Sequence, residues 1–327
     1  MYKLSALISL IFLFNIINAQ ESRGFKPVNI DIDGTLTTLY TGSYALLIGV
    51  SEYSSWPDLP GVNKDVAEIK PMLEKHGFDV QVVKNPDGHQ LQQVYEDFID
   101  QYGMDVNNRL LLYFAGHGHT IKSSYGDEMG YIVPTDAPLP EKDRRGFMKD
   151  ALSMQQMEVY AKNIQSKHAL FMFDACFSGS LFALSRAVPE VISYKTTQHV
   201  RQFITSGAAD EEVPDHSIFR AQFVEALHTD IADGNKDGFL TGTELGEYLQ
   251  AAVVNYSYNG QHPQYGKIRH PGLDKGDYVF VLKIVAEDQQ HEVAESFVST
   301  DERGEAISLQ YFGSVELTSQ IEGDLFL

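Results

Sequence analysis

The chain has 327 residues, of which 43% are hydrophobic and 21% are charged. This composition can bury the core of one large domain with a small one beside it, and it excludes a mostly disordered chain. The formal net charge is −20, from 45 acidic and 25 basic residues, and it excludes nucleic acid as an expected partner because phosphate binding needs a basic face.

The first segment predicts export. Lys3 precedes an apolar run over residues 4–17, and Ala19 supplies a small residue for cleavage, so residues 1–19 have the pattern of a secretory signal peptide. The run is too short to span a bilayer, which takes about 20 residues, and no stable membrane span is expected after cleavage. A buried N-terminal strand or an uncleaved anchor is the alternative. The mature protein is expected to be secreted or periplasmic.

The next elements alternate between strands and helices. Residues 20–41 are polar and predict a loose N-terminal extension. Beyond it, continuous apolar runs predict buried strands, and apolar residues at helical spacing predict helices. Pro71 is expected to kink the first helix or to mark a break in it. The predicted strands are 44–50, 78–83, 109–115, 168–174, 202–205 and 277–285, and the predicted helices are 62–76, 91–102 and 154–164.

This alternation predicts an α/β domain over residues 42–285, with a mostly parallel central sheet and helices on both faces. Residues 286–327 begin polar and then alternate between polar and apolar residues, which predicts a linker and the start of a small β unit.

Two short motifs fall at the carboxyl ends of neighbouring core strands, where chemistry gathers in such sheets. Gly116-His117-Gly118 follows the strand 109–115, and Cys176, the only cysteine, follows the strand 168–174. A cysteine peptidase needs a thiolate nucleophile, an imidazole that moves protons, and backbone N–H groups for the oxyanion, here those of Gly118 and Cys176. Taken singly, the histidine also fits a turn and the cysteine a small core residue. Together they predict a catalytic pair.

Three segments carry a resemblance to a known family. They are Tyr-Ala-Leu-Leu-Ile-Gly-Val at 44–50, Tyr-Phe-Ala-Gly-His-Gly at 113–118 and Asp-Ala-Cys-Phe-Ser-Gly at 174–179. Over about residues 42–283 the chain resembles the caspase-like superfamily, and within it the metacaspase and bacterial orthocaspase branch. The resemblance implies a caspase-hemoglobinase fold and an endopeptidase with Cys176 as nucleophile and His117 as general acid/base.

The resemblance also implies a substrate class. Asp174 stands two residues before Cys176, where metacaspases have an acid that accepts Arg or Lys and true caspases have Gln. Asp65 matches the second pocket acid of that branch, although a helix N-terminal acid favoured by the dipole is the alternative. Two carboxylates bind a guanidinium bidentately, so proteins or peptides with basic residues are the expected partners.

Two positions depart from the branch pattern. Ala115 stands where many metacaspases have a small polar residue, and Ala183 stands where the type I calcium site has an acid. Calcium activation by that particular route is therefore not expected.

Such enzymes are often made as zymogens, and with a basic pocket preference self-cleavage is a hypothesis. The basic residues that could be cut are Arg186, Lys195 and Arg201 after the catalytic cysteine, and Arg144-Arg145 before it.

A second signal lies at residues 233–244, which match the EF-hand calcium loop. The loop has Gly238 for its sharp turn and Leu240 at its apolar eighth position. A polar turn that matches by chance is the alternative reading. A single loop favours structural Ca²⁺ over a sensor site. The expected ligands are Asp233, Asn235, Asp237, the Phe239 carbonyl, Thr241 and Glu244.

Two other function classes compete with the peptidase. A catalytically silent caspase-fold module that scaffolds or binds partners leaves both His117 and Cys176 unexplained. A calcium-binding structural or adhesion protein explains only residues 233–244.

Overall fold

The computed structural model describes residues 27–32, 35–176, 182–184, 195–208, 211, 216–282, 299–300 and 306–307. The chain divides into two units, Met1–Lys283 and Ile284–Leu327. The expected signal peptide at residues 1–19 lies outside the described residues, and so do most of residues 286–327. No described helix combines the length and the apolarity needed to cross a lipid bilayer.

The first unit contains fourteen described strands and six described helices. In chain order the strands are β1 (Val28–Ile32), β2 (Thr35–Tyr40), β3 (Gly42–Gly49), β4 (Asp79–Lys84), β5 (Asn108–Ala115), β6 (Gly118–Lys122), β7 (Glu128–Ile132), β8 (Leu152–Ser153), β9 (His168–Cys176), β10 (Phe182–Leu184), β11 (Val200–Gly207), β12 (Phe239–Thr241), β13 (Gln264–Ile268) and β14 (Val279–Val281). The helices are α1 (Val62–Lys75), α2 (Gly88–Tyr102), α3 (Arg144–Asp150), α4 (Met154–Asn163), α5 (Ile218–His228) and α6 (Gly242–Tyr256).

Seven of these strands form the central sheet, in the order β10-β13-β11-β9-β5-β3-β4. The five strands from β11 to β4 run parallel, whereas β13 runs antiparallel to β11 and β10 antiparallel to β13. Every residue of β3, β5 and β11 is buried, as expected for parallel strands covered on both faces. The predicted mostly parallel sheet is confirmed.

Helices cover both faces of the sheet, as predicted. On one face, α2 and α4 pack against alternate residues of the central strands, including Leu46, Leu112 and Phe171. On the other face, α1, α5 and α6 pack against the residues between them, including Leu47, Tyr113 and Met172. The alternation of a strand's side chains thus supplies two cores from one sheet.

Several elements differ from the sequence predictions. The extension expected to be loose contains the antiparallel pair β1–β2, and Tyr40 at its end is fully buried. The last predicted strand is β14, which pairs with β12 and not with the central sheet. Helix α1 continues through Pro71 to Lys75; Pro71 is exposed, so water can solvate the carbonyl that its missing N–H leaves unpaired.

The second unit is described over two short strands, β15 (Ser299–Thr300) and β16 (Ala306–Ile307). They pair antiparallel, with Ser299 opposite Ile307.

Candidate active site

The register of β5 and β9 determines where the predicted pair lies. Ala115 of β5 is the partner of Asp174 of β9 in the parallel ladder. His117 follows Ala115 by two residues, and Cys176 follows Asp174 by two residues. Both therefore leave the same edge of the sheet on adjacent strands, at its carboxyl end. The Cys176 side chain lies outside the described part of the chain.

The turn between β5 and β6 requires a glycine. Gly116 has a φ of +156°, which side-chain-bearing residues rarely adopt, and a Cβ there would lie 2.7 Å from the hydroxyl oxygen of Tyr53. The sharp turn brings His117 out of the strand at the sheet edge.

The His117 ring is held by the segment that follows β3. Its Nε2 lies 2.8 Å from the carbonyl oxygen of Pro57, and because a carbonyl only accepts, this nitrogen carries the proton. The rings of Tyr53 and Trp56 pack against the imidazole, with centroids 4.7 and 5.4 Å away. The neutral ring therefore keeps its lone pair on Nδ1.

Burial favours the neutral form of this histidine. Desolvation lowers the pKa of His117 below its ordinary value, and the hydrogen bond to the Pro57 carbonyl opposes this shift. A neutral imidazole with an accepting nitrogen can take a proton from a thiol.

The peptide plane between His117 and Gly118 orients the predicted oxyanion donor. The His117 carbonyl accepts a hydrogen bond from the Val133 N–H at 3.0 Å. Because the described peptide bonds are trans, the Gly118 N–H on the same plane points the opposite way, away from β7. This N–H is directed out of the β6–β7 ladder, as an oxyanion donor requires.

Asp174 is nearly completely buried, at 4% exposure, and only one of its oxygens is hydrogen-bonded. Its Oδ2 accepts from the hydroxyls of Tyr113, at 3.0 Å, and Ser217. Oδ1 makes no hydrogen bond of regular geometry among the described residues, although the Ser206 hydroxyl lies close enough to lower the pKa of Asp174. Desolvation raises the pKa of Asp174, and the hydroxyls of Ser217, Tyr113 and Ser206 and the charge of Arg220 partly offset this.

Asp65 lies in the first turn of α1 and is paired within the protein. Its Oδ1 accepts from the Arg220 Nε at 3.1 Å, and Arg220 also contacts Glu68. The Nη2 of Arg220 is buried and has no described partner. Burial raises the pKa of Tyr113, and the nearby charges of Asp174 and Asp65 raise it further. The two predicted pocket acids thus lie in one cluster, with a guanidinium of the protein already beside Asp65.

Sequence reasoning missed the segment that holds His117. The Pro57 contribution is a backbone carbonyl, which leaves no signal in residue type. A signal did exist in Trp56, the only tryptophan, which follows a strand end and donates to the Ala137 carbonyl at 3.1 Å.

Residues 233–244 form a loop from α5 to α6 that contains β12. The Lys236 and Gly238 backbones have positive φ, and Thr241 and Glu244 form the capping box of α6. Among the described residues, no three His, Cys, Asp or Glu side chains converge as a ready-made metal cluster. The predicted ligands share this loop, while several of their oxygens hydrogen-bond to the loop itself.

The predicted entry helix of this loop is only partly correct. Phe219, Phe223 and Leu227 are buried on α5, as their spacing predicts. Ile231, the fourth predicted member of this stripe, lies beyond the end of the helix and is 57% exposed.

Comparisons with known proteins identify the family. The family model described as the caspase domain matches residues 43–268, which is more than half of the chain. Solved structures that are similar include caspase-1 from Spodoptera frugiperda, at 14% identity and a TM-score of 0.46, covering 73% of this chain and 89% of that one. A protein from Geobacter sulfurreducens is also similar, at 14% identity and a TM-score of 0.47, covering 71% of this chain and 96% of that one. A search of curated proteins finds no match. The family match, together with the α/β fold, shows that this chain belongs to the caspase family of cysteine peptidases.

Proposed function

We propose that this protein is a cysteine endopeptidase of the metacaspase-like branch that uses Cys176 and His117. The observation that carries the proposal is the arrangement of His117. Its ring is tied through Nε2 to the Pro57 carbonyl, and its backbone leaves the sheet next to that of Cys176. Of the two neutral tautomers, only the one with the proton on Nε2 and the lone pair on Nδ1 satisfies this geometry, and that is the form a thiol needs as its base.

The reaction follows from these positions. His117 takes the thiol proton of Cys176 at Nδ1, and the thiolate attacks the substrate carbonyl carbon. The N–H groups of Gly118 and Cys176 stabilise the oxyanion. The imidazolium then donates its proton to the leaving amine, which departs as the acyl-enzyme forms. Water hydrolyses this thioester with His117 again as base, releasing the acid and the free thiol.

Substrate selection is assigned to Asp174, with cleavage after Arg or Lys. Its bare Oδ1 can accept from a guanidinium or ammonium group, whose positive charge would favour the ionised carboxyl. Asp65 is bound to Arg220, so in this arrangement it acts mainly by holding Arg220 in place. A substrate guanidinium that displaced Arg220 would restore the two-carboxylate pocket.

The proposal extends to an exported zymogen, on the strength of the N-terminal segment and the basic residues of the chain. Arg201 is fully buried inside β11, so the folded enzyme cannot be cut there. The Lys195 side chain is largely buried, and its Nζ lies 3.5 Å from the carboxylate oxygen Oδ2 of Asp277. Arg144 and Arg145 are exposed at the start of α3 and are accessible sites, and Arg186 lies outside the described residues.

The test compares fluorogenic peptides ending in Arg, Lys or Asp before the reporter group. We expect turnover of the Arg and Lys peptides that a Cys176→Ala variant lacks. In an Asp174→Asn variant, kcat/KM for the Arg peptide should fall about 100-fold, because a charged acceptor is lost from a buried site.

Other outcomes have equally clear readings. Cleavage after Asp would reject the role of Asp174 and point to the unpaired Nη2 of Arg220 as the selecting group. No turnover of any peptide, even after limited proteolysis, would reject the peptidase in favour of a catalytically silent scaffold.

A further inference from the structure

One oxygen of Asp233 is buried and bare. The residue is 2% exposed, and its Oδ2 accepts a hydrogen bond from the Gly238 N–H at 2.8 Å, across the loop. Its Oδ1 is also buried and has no partner among the described residues. Because Oδ2 accepts its hydrogen bond from Gly238, on the other side of the loop, the carboxylate points into the loop. A buried carboxylate oxygen without a partner is costly, and a cation would satisfy it.

Other oxygen-bearing residues share the same loop. Asn235 and Asp237 lie on the exposed arm of the loop. Glu244 uses Oε2 to accept from the Thr241 N–H and hydroxyl, at 3.0 and 2.8 Å. Its Oε1 lies 3.8 Å from where a Gly234 Cβ would be, so Glu244 reaches back over the start of the loop. A flexible set of carboxylate, amide and carbonyl oxygens suits calcium better than the smaller, strictly octahedral magnesium.

Helix α5 connects this loop to the acidic cluster. At its N-terminal end, the Ser217 hydroxyl donates to Asp174, and Arg220 pairs with Asp65. At its C-terminal end, the Leu227 carbonyl lies 2.9 Å from Nε2 of His76, and Asp233 follows shortly after. An 11-residue helix is about 16 Å long, and as a rigid rod it relays a displacement of one end to the other.

We propose that residues 233–244 bind one calcium ion, and that this ion holds the C-terminal end of α5 so that Ser217 and Arg220 keep their contacts with Asp174 and Asp65. The ligands are Asp233, Asn235, Asp237, the Phe239 carbonyl and Glu244, with Thr241 acting directly or through water. Glu244 moves from its hydrogen bond with Thr241 to the ion. Only the significance of the pocket for specificity rests on the proposed function; ion binding and the linkage through α5 do not.

The test uses the full mature chain carrying Cys176→Ala, which excludes self-cleavage and needs no peptidase activity. Calcium is titrated by isothermal calorimetry, and one ion per chain is expected. Glu244→Gln should weaken binding by at least about 10-fold, because affinity in such loops follows ligand charge. Asp237→Asn, at an exposed position that keeps its hydrogen-bonding oxygen, should weaken it as well. Glu247→Gln removes the same charge one turn along α6 and should bind like the parent. Absent binding, or equal binding in all four chains, would overturn the site.

Hydrogen exchange of the same chains tests the linkage. Calcium should slow amide exchange at the start of α5, around Ser217 and Arg220, in the parent and in Glu247→Gln. At a calcium concentration too low to load Glu244→Gln, that variant should show no slowing. Protection confined to residues 229–244 would overturn the connection to Asp174.

Discussion

Two clusters of buried charged groups, at opposite ends of the central sheet, differ in how completely their polar atoms are hydrogen-bonded. At the amino end, Arg109 and Arg201 are almost fully buried, and every guanidinium nitrogen donates a hydrogen bond. For Arg109 the acceptors are the Ser43 hydroxyl and the carbonyls of His76 and Val279. For Arg201 they are the carbonyls of Ala161, Ile164, Lys167 and Val200. Around the carboxyl end, Asp174 and Arg220 each keep a polar atom that is buried and has no described partner.

The difference separates structural polar groups from those available for binding. A fully satisfied buried cation fixes strands and helices in place, because any displacement breaks several hydrogen bonds at once. A buried group with a bare atom lowers stability unless water, an ion or a ligand completes it. The bare atoms of Asp174 and Arg220 belong to charged groups, whereas those at the amino end, on Thr41 and Tyr278, belong to neutral hydroxyls, so the contrast concerns buried charge. Each of the following experiments tests one side of this contrast.

The largest expected effect on stability comes from Arg201. Arg201→Met should lower the free energy of unfolding by about 3 kcal/mol, because several buried carbonyls lose their donor. Urea unfolding measures the change. Arg145→Met, at an exposed position on α3, is the matched control and should change stability by no more than about 0.5 kcal/mol. A loss below about 1 kcal/mol for Arg201→Met would contradict a structural role.

The next effect is the pH dependence of His168, at the start of β9. Burial lowers the pKa of His168 to about 3. Its two ring nitrogens contact the Tyr40 hydroxyl and the Gln198 carbonyl oxygen. The unfolded chain binds a proton near pH 6.5 while the folded chain does not, so stability falls as the pH drops below 6.5 toward 3. From pH 7 to pH 5 this residue should cost about 2 kcal/mol.

The measurement is urea unfolding at both pH values. His168→Gln keeps a hydrogen-bonding side chain without the titration, and it should lose about 2 kcal/mol less than the parent. An identical pH response in the two chains would show that His168 is not the group responsible.

The smallest expected effect concerns Asp174, at the other end of the sheet. Asp174→Asn keeps an oxygen for Tyr113 and Ser217 and removes a desolvated charge, so stability should change by no more than about 1 kcal/mol. The same unfolding measurement decides this point. A loss of 3 kcal/mol or more would place Asp174 with the structural groups and remove the contrast between the two ends.

Much of the fold was predictable because the central strands carry their own signal. The apolar runs of β3, β5 and β9 are buried on both faces, so their residue types alone mark them. The β6–β7–β8 sheet and β13 were not predicted, since short strands of mixed polarity are specified by partners distant in sequence. The β1–β2 pair was also missed, because its position depends on distant residues: Tyr40, at the end of β2, contacts His168 and Arg109.

The candidate site also contains residues that the sequence predicts and residues that it does not. Sequence placed His117 and Cys176 at strand ends because parallel sheets expose that edge. It proposed Asp65 and Asp174 through family resemblance, but it could not predict Arg220 beside them, since that residue lies 155 positions beyond Asp65. Pairing over such a separation depends on how α5 packs against α1, which no local pattern encodes.

The contact between His117 and Pro57 has a genetic consequence. Every residue has a main-chain carbonyl, so no single amino-acid replacement at position 57 deletes the acceptor itself. A saturation screen for lost function should therefore find His117 and Cys176 intolerant of nearly all replacements, and position 57 comparatively tolerant. Insertions and deletions within residues 51–59 should be poorly tolerated, because they move the carbonyl away from the ring.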